Sequence, residues 1–254
     1  ATTRKKQNKK IKNLKWLIGS FEKNWKELKK SDVLVHLAST GVYDKHKSLN
    51  ECLKVNVLQS SKLLSNAINS KCLKWIIVGS CTEKKVVSRK FVKKVIERKK
   101  RLPYFNYALS KFLFTKICLS VAKNLKIKCR IIRLFHVYGA NENKDRLWPT
   151  LTAAAKKNNN FNMTKASQIR DFCHVEDVVK TIIETLNFKK RSGKFPQIWD
   201  MATGKEISVK SFAKKIWKKY QSKGKLIFNK LRDYDTKNYK ANKKLLWKVN
   251  YRKI

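Results

Sequence analysis

The sequence predicts an α/β fold built on a doubly wound parallel sheet, because short apolar runs alternate with helical patterns over the first 150 residues. Residues 32–38 and 75–78 are apolar runs of the kind expected for strands buried on both faces of a sheet. Between them, residues 49–69 carry aliphatic side chains at mixed steps of three and four, which predicts a long helix. A chain of 254 residues can bury the core that this fold needs.

The other elements follow from the same patterns. Before residue 32 we expect a short strand at 15–18 and a helix at 21–29. Residues 84–101 are polar and basic, which predicts a loop with a short helix. The elements expected after this loop are helices at 107–124, 147–157, 175–186 and 208–220, the last capped by Ser208, and strands at 129–135, 170–173 and 197–202.

The six cysteines are scattered through the chain, and most lie inside apolar runs without any C-x-x-C pair. This pattern predicts buried, reduced thiols rather than disulfides, and no metal site. No apolar run reaches the roughly 18 residues that a membrane helix needs. The polar, basic N-terminus has no apolar segment behind it, as a secretory signal would. We therefore expect a cytoplasmic protein with no membrane partner.

The formal net charge of +45 raises the question of a nucleic-acid partner. The excess is mostly lysine and is spread over the whole chain, whereas a dedicated binder concentrates basic residues on one element and interleaves aromatic side chains for base stacking. The distribution favours a compositional bias of the source, with non-specific adhesion to polyanions as its consequence. No specific nucleic acid is expected, although a basic nucleic-acid-binding protein stays open as an alternative.

Tyr107 and Lys111 form the strongest chemical pattern in the sequence. Residues four apart lie one above the other on a helix face. An ammonium close to a phenol stabilises the phenolate and lowers the pKa of the tyrosine. Such a phenol can accept or return a proton as a general acid or base while hydride moves to or from a nicotinamide. Alone, the pair is also compatible with an ordinary surface contact, because the chain is rich in lysine.

Other polar residues follow neighbouring strands, at the edge where doubly wound sheets place their ligands. Gly79 and Ser80 end the strand at 75–78, and a serine there can hydrogen-bond a reacting oxygen and orient it toward Tyr107. His36-Leu37-Ala38 ends the strand before it, and Asn56 lies on the following helix. Downstream, the strand at 129–135 runs into His136-Val137-Tyr138-Gly139.

In this order and spacing, the set resembles the extended short-chain dehydrogenase/reductases, also called the NAD-dependent epimerase/dehydratase family. The family pattern is a strand ending H-L-A, an N-V helix, a strand ending in Ser or Thr, Y-x-x-x-K and R-x-x-x-x-Y-G. It is matched by His36–Ala38, Asn56–Val57, Ser80, Tyr107 with Lys111, and Arg133 with Tyr138-Gly139. Residues 168–178 resemble the family's R-D-F-x-H-V-x-D-V block, and residues 200–208 resemble its N-x-G-x-G-x-x-x-S segment.

The resemblance implies a role for each matching residue. The catalytic set would be Ser80, Tyr107 and Lys111, with Tyr107 as acid and base. The residues implied to line NAD or NADP are Arg4, His36, Leu37, Ala38, Asn56, Gly79, Tyr107, Lys111, Phe135, His136 and Val137. Ser80, Thr82 and Arg170 would bind a nucleotide-sugar substrate, with the Arg170 guanidinium on a phosphate. A homodimer is the expected assembly.

The sequence departs from the family at both ends. The family begins with a G-x-x-G-x-x-G loop that receives the pyrophosphate, and none of the seven glycines here forms one. About 30 residues, one βαβ unit, are therefore expected to be missing before residue 1. Residues 246–251 resemble the family's L-G-W-x-P-x-[YF] segment without its Gly and Pro, and the family's final helix would follow them. The chain is thus expected to be a piece of a Rossmann-like parent truncated at both ends, and the expected function belongs to that parent. The expected domains are 1–140, an incomplete dinucleotide-binding domain, and 141–254, mostly a substrate-binding lobe from which helix 175–187 and strand 197–202 return to the first domain.

The residues after Ser80 bear on the reaction. Dehydratases of the family carry an Asp-Glu pair directly after the catalytic Thr, whereas Cys81 and Thr82 stand here and Glu83 comes one place late. Dehydration is disfavoured, and reduction of a 4-keto-sugar or C4 epimerisation stays open. Residues 161–172 resemble 4-keto-6-deoxy-sugar nucleotide reductases of surface-polysaccharide synthesis. A different alternative is a catalytically inactive relative that serves as a binding or scaffold subunit.

Overall fold

The computed structural model describes residues 2–3, 12–15, 17–23, 25–42, 47–86, 105–231 and 238–252. Its strands in chain order are β1 (Thr2–Thr3), β2 (Leu17–Ile18), β3 (Leu34–His36), β4 (Lys74–Ser80), β5 (Lys128–Leu134), β6 (His136–Tyr138), β7 (Phe161–Asn162), β8 (Ile169–His174), β9 (Gln197–Ala202), β10 (Glu206–Ser208), β11 (Leu226–Ile227) and β12 (Leu246–Lys248). Its α-helices are α1 (Leu49–Leu53), α2 (Ser60–Asn69), α3 (Glu83–Val86), α4 (Phe105–Asn124), α5 (Leu147–Lys156), α6 (Val175–Thr185) and α7 (Val209–Lys219).

Five strands form the central sheet in the order β12-β9-β5-β4-β3, and every pairing in it is parallel. Strand β4 alternates its side chains between two helical layers. Trp75 and Ile77 pack with α2 and α4, whereas Ile76 packs with α6 on the other face. All three side chains are at most 1% exposed, as the apolar run predicted. The prediction of an α/β fold with a doubly wound parallel sheet is confirmed.

The helix predicted over 49–69 is present, but it is not uniform. Ser48 caps its start: the Ser48 hydroxyl accepts a hydrogen bond from the Glu51 amide, and the Ser48 amide donates to the Glu51 carboxylate. Residues Lys54–Gln59 form a π-helical turn between α1 and α2. Such turns rotate the side chains that follow, and they occur often at functional sites. This turn carries Asn56.

The helix predicted over 21–29 is wrong in extent. The structure has a turn at Phe21 and a 3₁₀ helix at Lys26–Lys30. Phe21 and Leu28 are both buried, and they pack with Leu63 of α2. Both side chains are therefore buried against α2, although residues 21–25 are not helical.

The second half of the chain forms its own core beside the sheet. Strands β10, β8 and β6 make a three-stranded sheet, and α5 and α7 pack around it. The Phe172 and Phe212 rings stack with their centroids 3.8 Å apart. Helix α7 begins at Ser208, whose hydroxyl accepts from the Ser211 amide, so the predicted cap is confirmed. Strand β9 pairs with β5 in the central sheet.

All six cysteines are free and buried, as predicted. No group of acidic, cysteine or histidine side chains among the described residues could hold a metal ion. In the same part of the chain, every helix is too short or too polar to cross a bilayer.

Candidate active site

The structure brings Ser80 and Tyr107 into contact. Ser80 is the last residue of β4, and Tyr107 lies in the first turn of α4. The Tyr107 hydroxyl forms side-chain hydrogen bonds with Ser80 and with Ser39, which follows β3. Because β3 and β4 are parallel neighbours, their carboxyl ends meet at one edge, and α4 delivers the phenol to that edge.

The protonation of Tyr107 differs from the expectation. Burial raises the pKa of Tyr107 above its ordinary value, and the hydrogen bonds from Ser80 and Ser39 only oppose this rise. The expected lowering of the pKa by Lys111 is therefore wrong for this structure. The reason is that the Lys111 ammonium donates to the Val78 carbonyl at 2.5 Å. The phenol is accordingly a protonated acid at neutral pH.

Lys111 lies one helical turn after Tyr107 and is 3% exposed. Burial lowers the pKa of this lysine, and the nearby Glu83 carboxylate raises it in opposition. An isolated ammonium at this depth would be costly, so the carbonyl and the carboxylate are what keep it charged.

Ser80 is held from both sides. Its hydroxyl lies 2.8 Å from the Thr82 hydroxyl and accepts from the Thr82 amide at 3.2 Å. Its own amide donates to the Glu83 carboxylate at 2.7 Å. Thr82 therefore orients the serine hydroxyl, and the substrate contact implied for Thr82 by the resemblance stays a prediction.

Asn56 fixes the loop after β3 to helix α4. It is 1% exposed, accepts from the Thr40 amide at 2.8 Å and donates to the Thr40 carbonyl at 3.0 Å and to the Ser110 hydroxyl at 2.9 Å. These bonds engage its amide within the protein, so the side chain is placed to position the loop beside Tyr107. The cofactor contact that the resemblance implies for Asn56 stays a prediction.

Asn56→Leu is expected to lower the free energy of unfolding by about 1–3 kcal/mol, because it leaves the buried Thr40 amide and carbonyl without partners. Urea denaturation monitored by tryptophan fluorescence measures this loss. Asn66→Leu on the same helix is the matched control, because Asn66 makes a single bond to the Glu22 carbonyl. A loss no larger than that of Asn66→Leu would contradict the positioning role.

The residues implied to line the cofactor at the end of β3 have different surroundings. His36 is 3% exposed, lies between the Phe21 and Phe114 rings and bonds the Ser60 hydroxyl at 2.9 Å. Burial lowers the pKa of His36 to about 3, so the ring is neutral. Its imidazole packs in the core, and a contact of residue 36 with a cofactor stays a prediction. Leu37 is exposed and Ala38 is half-buried, and their contacts with a cofactor stay predictions.

The residues after β5 are mostly covered. Phe135 is buried, and the Lys84 ammonium lies 5.6 Å from its ring centroid. The His136 ring lies between aromatic side chains, 5.5 Å from Tyr239, and burial holds its pKa well below the usual value. Val137 is half-buried, and its amide donates to the Phe135 carbonyl.

Two implied binding residues remain. Arg170 is 5% exposed, and its guanidinium lies 4.9 Å from the Tyr239 ring centroid while it donates to the Ile169 carbonyl. The phosphate contact implied for Arg170 stays a prediction. Arg4 lies outside the described residues.

The sequence reasoning missed a buried carboxylate, Asp200. Arg133 and Asp200 are direct partners in the β5–β9 register, and the Arg133 guanidinium contacts the carboxylate at 2.8 Å. Lys84 forms a second ion pair with Asp200, and the Asn242 amide donates to it at 2.8 Å. Of this cluster, Lys84 also lines a cleft of about 260 Å³. The cleft is lined by Cys81, Lys84, Phe135, Asn238, Tyr239 and Lys240. Residues 200–208 resemble a family segment, but this match gave Asp200 no role, because its partners come from distant segments.

A parallel sheet with a Ser, Tyr and Lys at one edge is the arrangement of the short-chain dehydrogenase/reductase class. The sequence profile of the NAD dependent epimerase/dehydratase family matches residues 2–201. The chain therefore belongs to that family.

Individual relatives agree with this assignment. CDP-abequose synthase of Salmonella muenchen is 25% identical over 244 residues, which cover 94% of this chain and 78% of that protein. The structure is similar to UDP-N-acetylglucosamine 4-epimerase from Bacillus cereus, with a TM-score of 0.74, 18% identity, and coverage of 99% of this chain and 82% of that one. It is also similar to RMD from Pseudomonas aeruginosa complexed with NADPH, with a TM-score of 0.69, 17% identity, and coverage of 91% and 82%.

Proposed function

We propose that this chain is the core of an NAD(P)-dependent enzyme that acts at C4 of a nucleotide-activated sugar, by reduction of a 4-keto group or by C4 epimerisation. The observation that carries the proposal is the hydrogen bond between Tyr107 and Ser80, with the buried Lys111 one turn further along the same helix. The names of the relatives, CDP-abequose synthase and UDP-N-acetylglucosamine 4-epimerase, support a nucleotide-linked sugar as substrate.

The residues at the strand ends fit a nicotinamide cofactor by their chemistry. A phenol and an ammonium on one helix face can bind the two hydroxyls of a ribose, and Lys111 with Tyr107 would do so here. Backbone groups at 36–38 and 135–137 flank the same edge of the sheet. The cofactor, when bound, supplies or accepts the hydride. Every other step falls to side chains of this chain.

Ser80 and Tyr107 would handle the sugar oxygen. The Ser80 hydroxyl donates a hydrogen bond to the C4 oxygen and holds it against the phenol. Because burial keeps Tyr107 protonated, it is set to donate a proton to a 4-keto oxygen as that carbon is reduced. Lys111 stabilises the phenolate left behind, provided that its ammonium turns from the Val78 carbonyl toward the oxygen.

The surroundings of Glu83 support reduction or epimerisation over dehydration. One carboxylate oxygen accepts from the Ser80 amide and the other from the Thr115 hydroxyl. Elimination of water needs an acid and a base that reach the sugar, and this carboxylate is directed into the protein. Residues 161–172 favour 4-keto-6-deoxy-sugar nucleotide reduction in surface-polysaccharide synthesis as the finer assignment.

The proposal is tested by titrating the protein with NADPH and with NADH, and by supplying nucleotide 4-keto-sugars. We expect NADPH or NADH to bind, and the quenching of tryptophan fluorescence measures this binding. We also expect nucleotide 4-keto-sugars to be turned over. A reductase consumes one NADPH for each sugar, whereas an epimerase returns its cofactor unchanged. Failure to bind either dinucleotide would contradict the proposal and favour an inactive relative.

A further inference from the structure

Glu83 is a buried carboxylate directly behind the proposed catalytic residues. It is 2% exposed and lies in the short helix α3. Its Oε1 accepts from the Ser80 amide at 2.7 Å, and its Oε2 accepts from the Thr115 hydroxyl at 3.0 Å. One carboxylate therefore ties the end of β4 to α4, the helix that carries Tyr107 and Lys111.

Gly79 leaves the room that this carboxylate occupies. A Cβ atom on residue 79 would lie 2.6 Å from the Glu83 Oε1 and 3.2 Å from the Arg133 Cγ. The first distance is shorter than any normal contact, so a side chain at residue 79 would displace the carboxylate from the Ser80 amide. The glycine before Ser80 is thus explained by Glu83 rather than by a special backbone angle.

The negative charge of Glu83 stabilises the positive charge of Lys111. Burial lowers the pKa of Lys111, and the Glu83 carboxylate is the first group that raises it again. Burial in turn raises the pKa of Glu83 to about 6, although the hydrogen bonds from Ser80 and Thr115 and the charge of Lys111 lower it. The ionisable side chains facing these two groups from the surrounding elements are His36, Cys81, Tyr107, Cys118 and Arg133.

We propose that Glu83 is a positioning residue, which orients Ser80 through its backbone amide and keeps Lys111 charged in a buried site. This inference rests on the proposed function, and it gives the late glutamate of this chain a task other than elimination of water. Without the carboxylate, an ammonium buried at this depth loses its proton more readily, because burial lowers the pKa of Lys111 and Glu83 no longer opposes it.

Glu83→Gln separates charge from shape, because the amide can still accept from Ser80 and meet the Thr115 hydroxyl. We expect the alkaline limb of the kcat–pH profile to move down by about one pH unit or more, with activity recovering toward the wild-type value as the pH is lowered. Asp171→Asn is the matched control. Asp171 is also buried and accepts from the Thr203 and Gly204 amides, but these bonds join β8 to the turn after β9. A Glu83→Gln profile that superimposes on the wild type, or on Asp171→Asn, overturns the proposal.

A stability measurement tests the buried charge without any substrate. The pKa of Glu83 is about 6 in the folded chain against 4.5 for an ordinary glutamate. Stability from this group is therefore complete below pH 4.5 and lost as pH rises through 6, so the stability of Glu83→Gln relative to wild type should increase over that window. A difference that keeps increasing above about pH 8 overturns the inference about Glu83, because the carboxyl would then be uncharged at neutral pH and could not balance Lys111. A wild-type protein without turnover would overturn the proposed function instead. The stability measurement needs no substrate, so it distinguishes failure of the inference about Glu83 from failure of the proposed function.

Discussion

Tyr107→Phe is expected to lower kcat by about 10²–10⁴-fold, whereas the dissociation constant for NADPH rises by at most about tenfold, because one hydrogen bond to the ribose is lost. The hydroxyl is the only group removed, so the ring keeps its packing in α4, and the proton donor to the sugar oxygen is lost. The hydroxyls of Ser80 and Ser39, which bond the phenol, remain in place. Single-turnover oxidation of NADPH in the presence of a nucleotide 4-keto-sugar measures the chemical step directly.

Tyr138→Phe is the matched control for that experiment. Tyr138 is 7% exposed, and burial raises its pKa to about 12, so it is also a buried, protonated phenol. Its ring packs with Phe212 of α7 and with His174 at the end of β8. We expect this variant to keep the wild-type kcat. Equal losses in the two variants, or a parallel loss of NADPH binding and turnover in Tyr107→Phe, would contradict the role assigned to Tyr107.

Much of this site could be predicted because its parts are local. The run at 75–78 ends in Gly79-Ser80, and any parallel strand places such an ending at the ligand edge of its sheet. Tyr107 and Lys111 share a helix face by spacing alone. A strand ending and a helix start both reach the same edge in this topology, so their meeting required no knowledge of individual side-chain contacts.

The electrostatics of the site could not be predicted in the same way. The pKa of Tyr107 depends on depth of burial and on the direction of the Lys111 ammonium, and neither follows from a spacing of four. Asp200 meets Arg133 only through the register of two strands that are 67 positions apart. His36 gave the same motif signal as its neighbours, although its ring lies in the core.

The extent of an element was predictable only where one pattern governed all its residues. Strand β9 was predicted with the bounds that the structure shows, Gln197–Ala202. Over 21–29, Phe21 and Leu28 both pack with Leu63 of α2, and only Lys26–Lys30 are helical. Tertiary burial of this kind outweighs a helix propensity of a few tenths of a kcal/mol per residue.

Arg130 is the residue whose loss we expect to harm stability most. The sequence places it inside the strand 129–135, and the structure buries it completely. Its guanidinium donates to the carbonyls of Thr185 and Asn187 at 2.7 Å and 3.1 Å, and to the carbonyl of Lys190. These carbonyls belong to the end of α6 and the turn after it, where a helix leaves its last acceptors without internal partners. The guanidinium also lies within 5.5 Å of the ring centroids of Phe188, Phe195 and Trp247.

Arg130→Met is therefore expected to lower the free energy of unfolding by about 3–5 kcal/mol, because several buried carbonyls lose a charged donor at once. Arg130→Lys should recover only part of the loss, since an ammonium is a compact charge without the planar fork that reaches separate acceptors. Urea denaturation measures both. Arg191→Met is the control, because Arg191 also stacks on Trp247 and donates to one carbonyl, that of Leu246, but is exposed. A loss in Arg130→Met as small as in Arg191→Met would mean that stacking, rather than capping of the α6 carbonyls, is what Arg130 contributes.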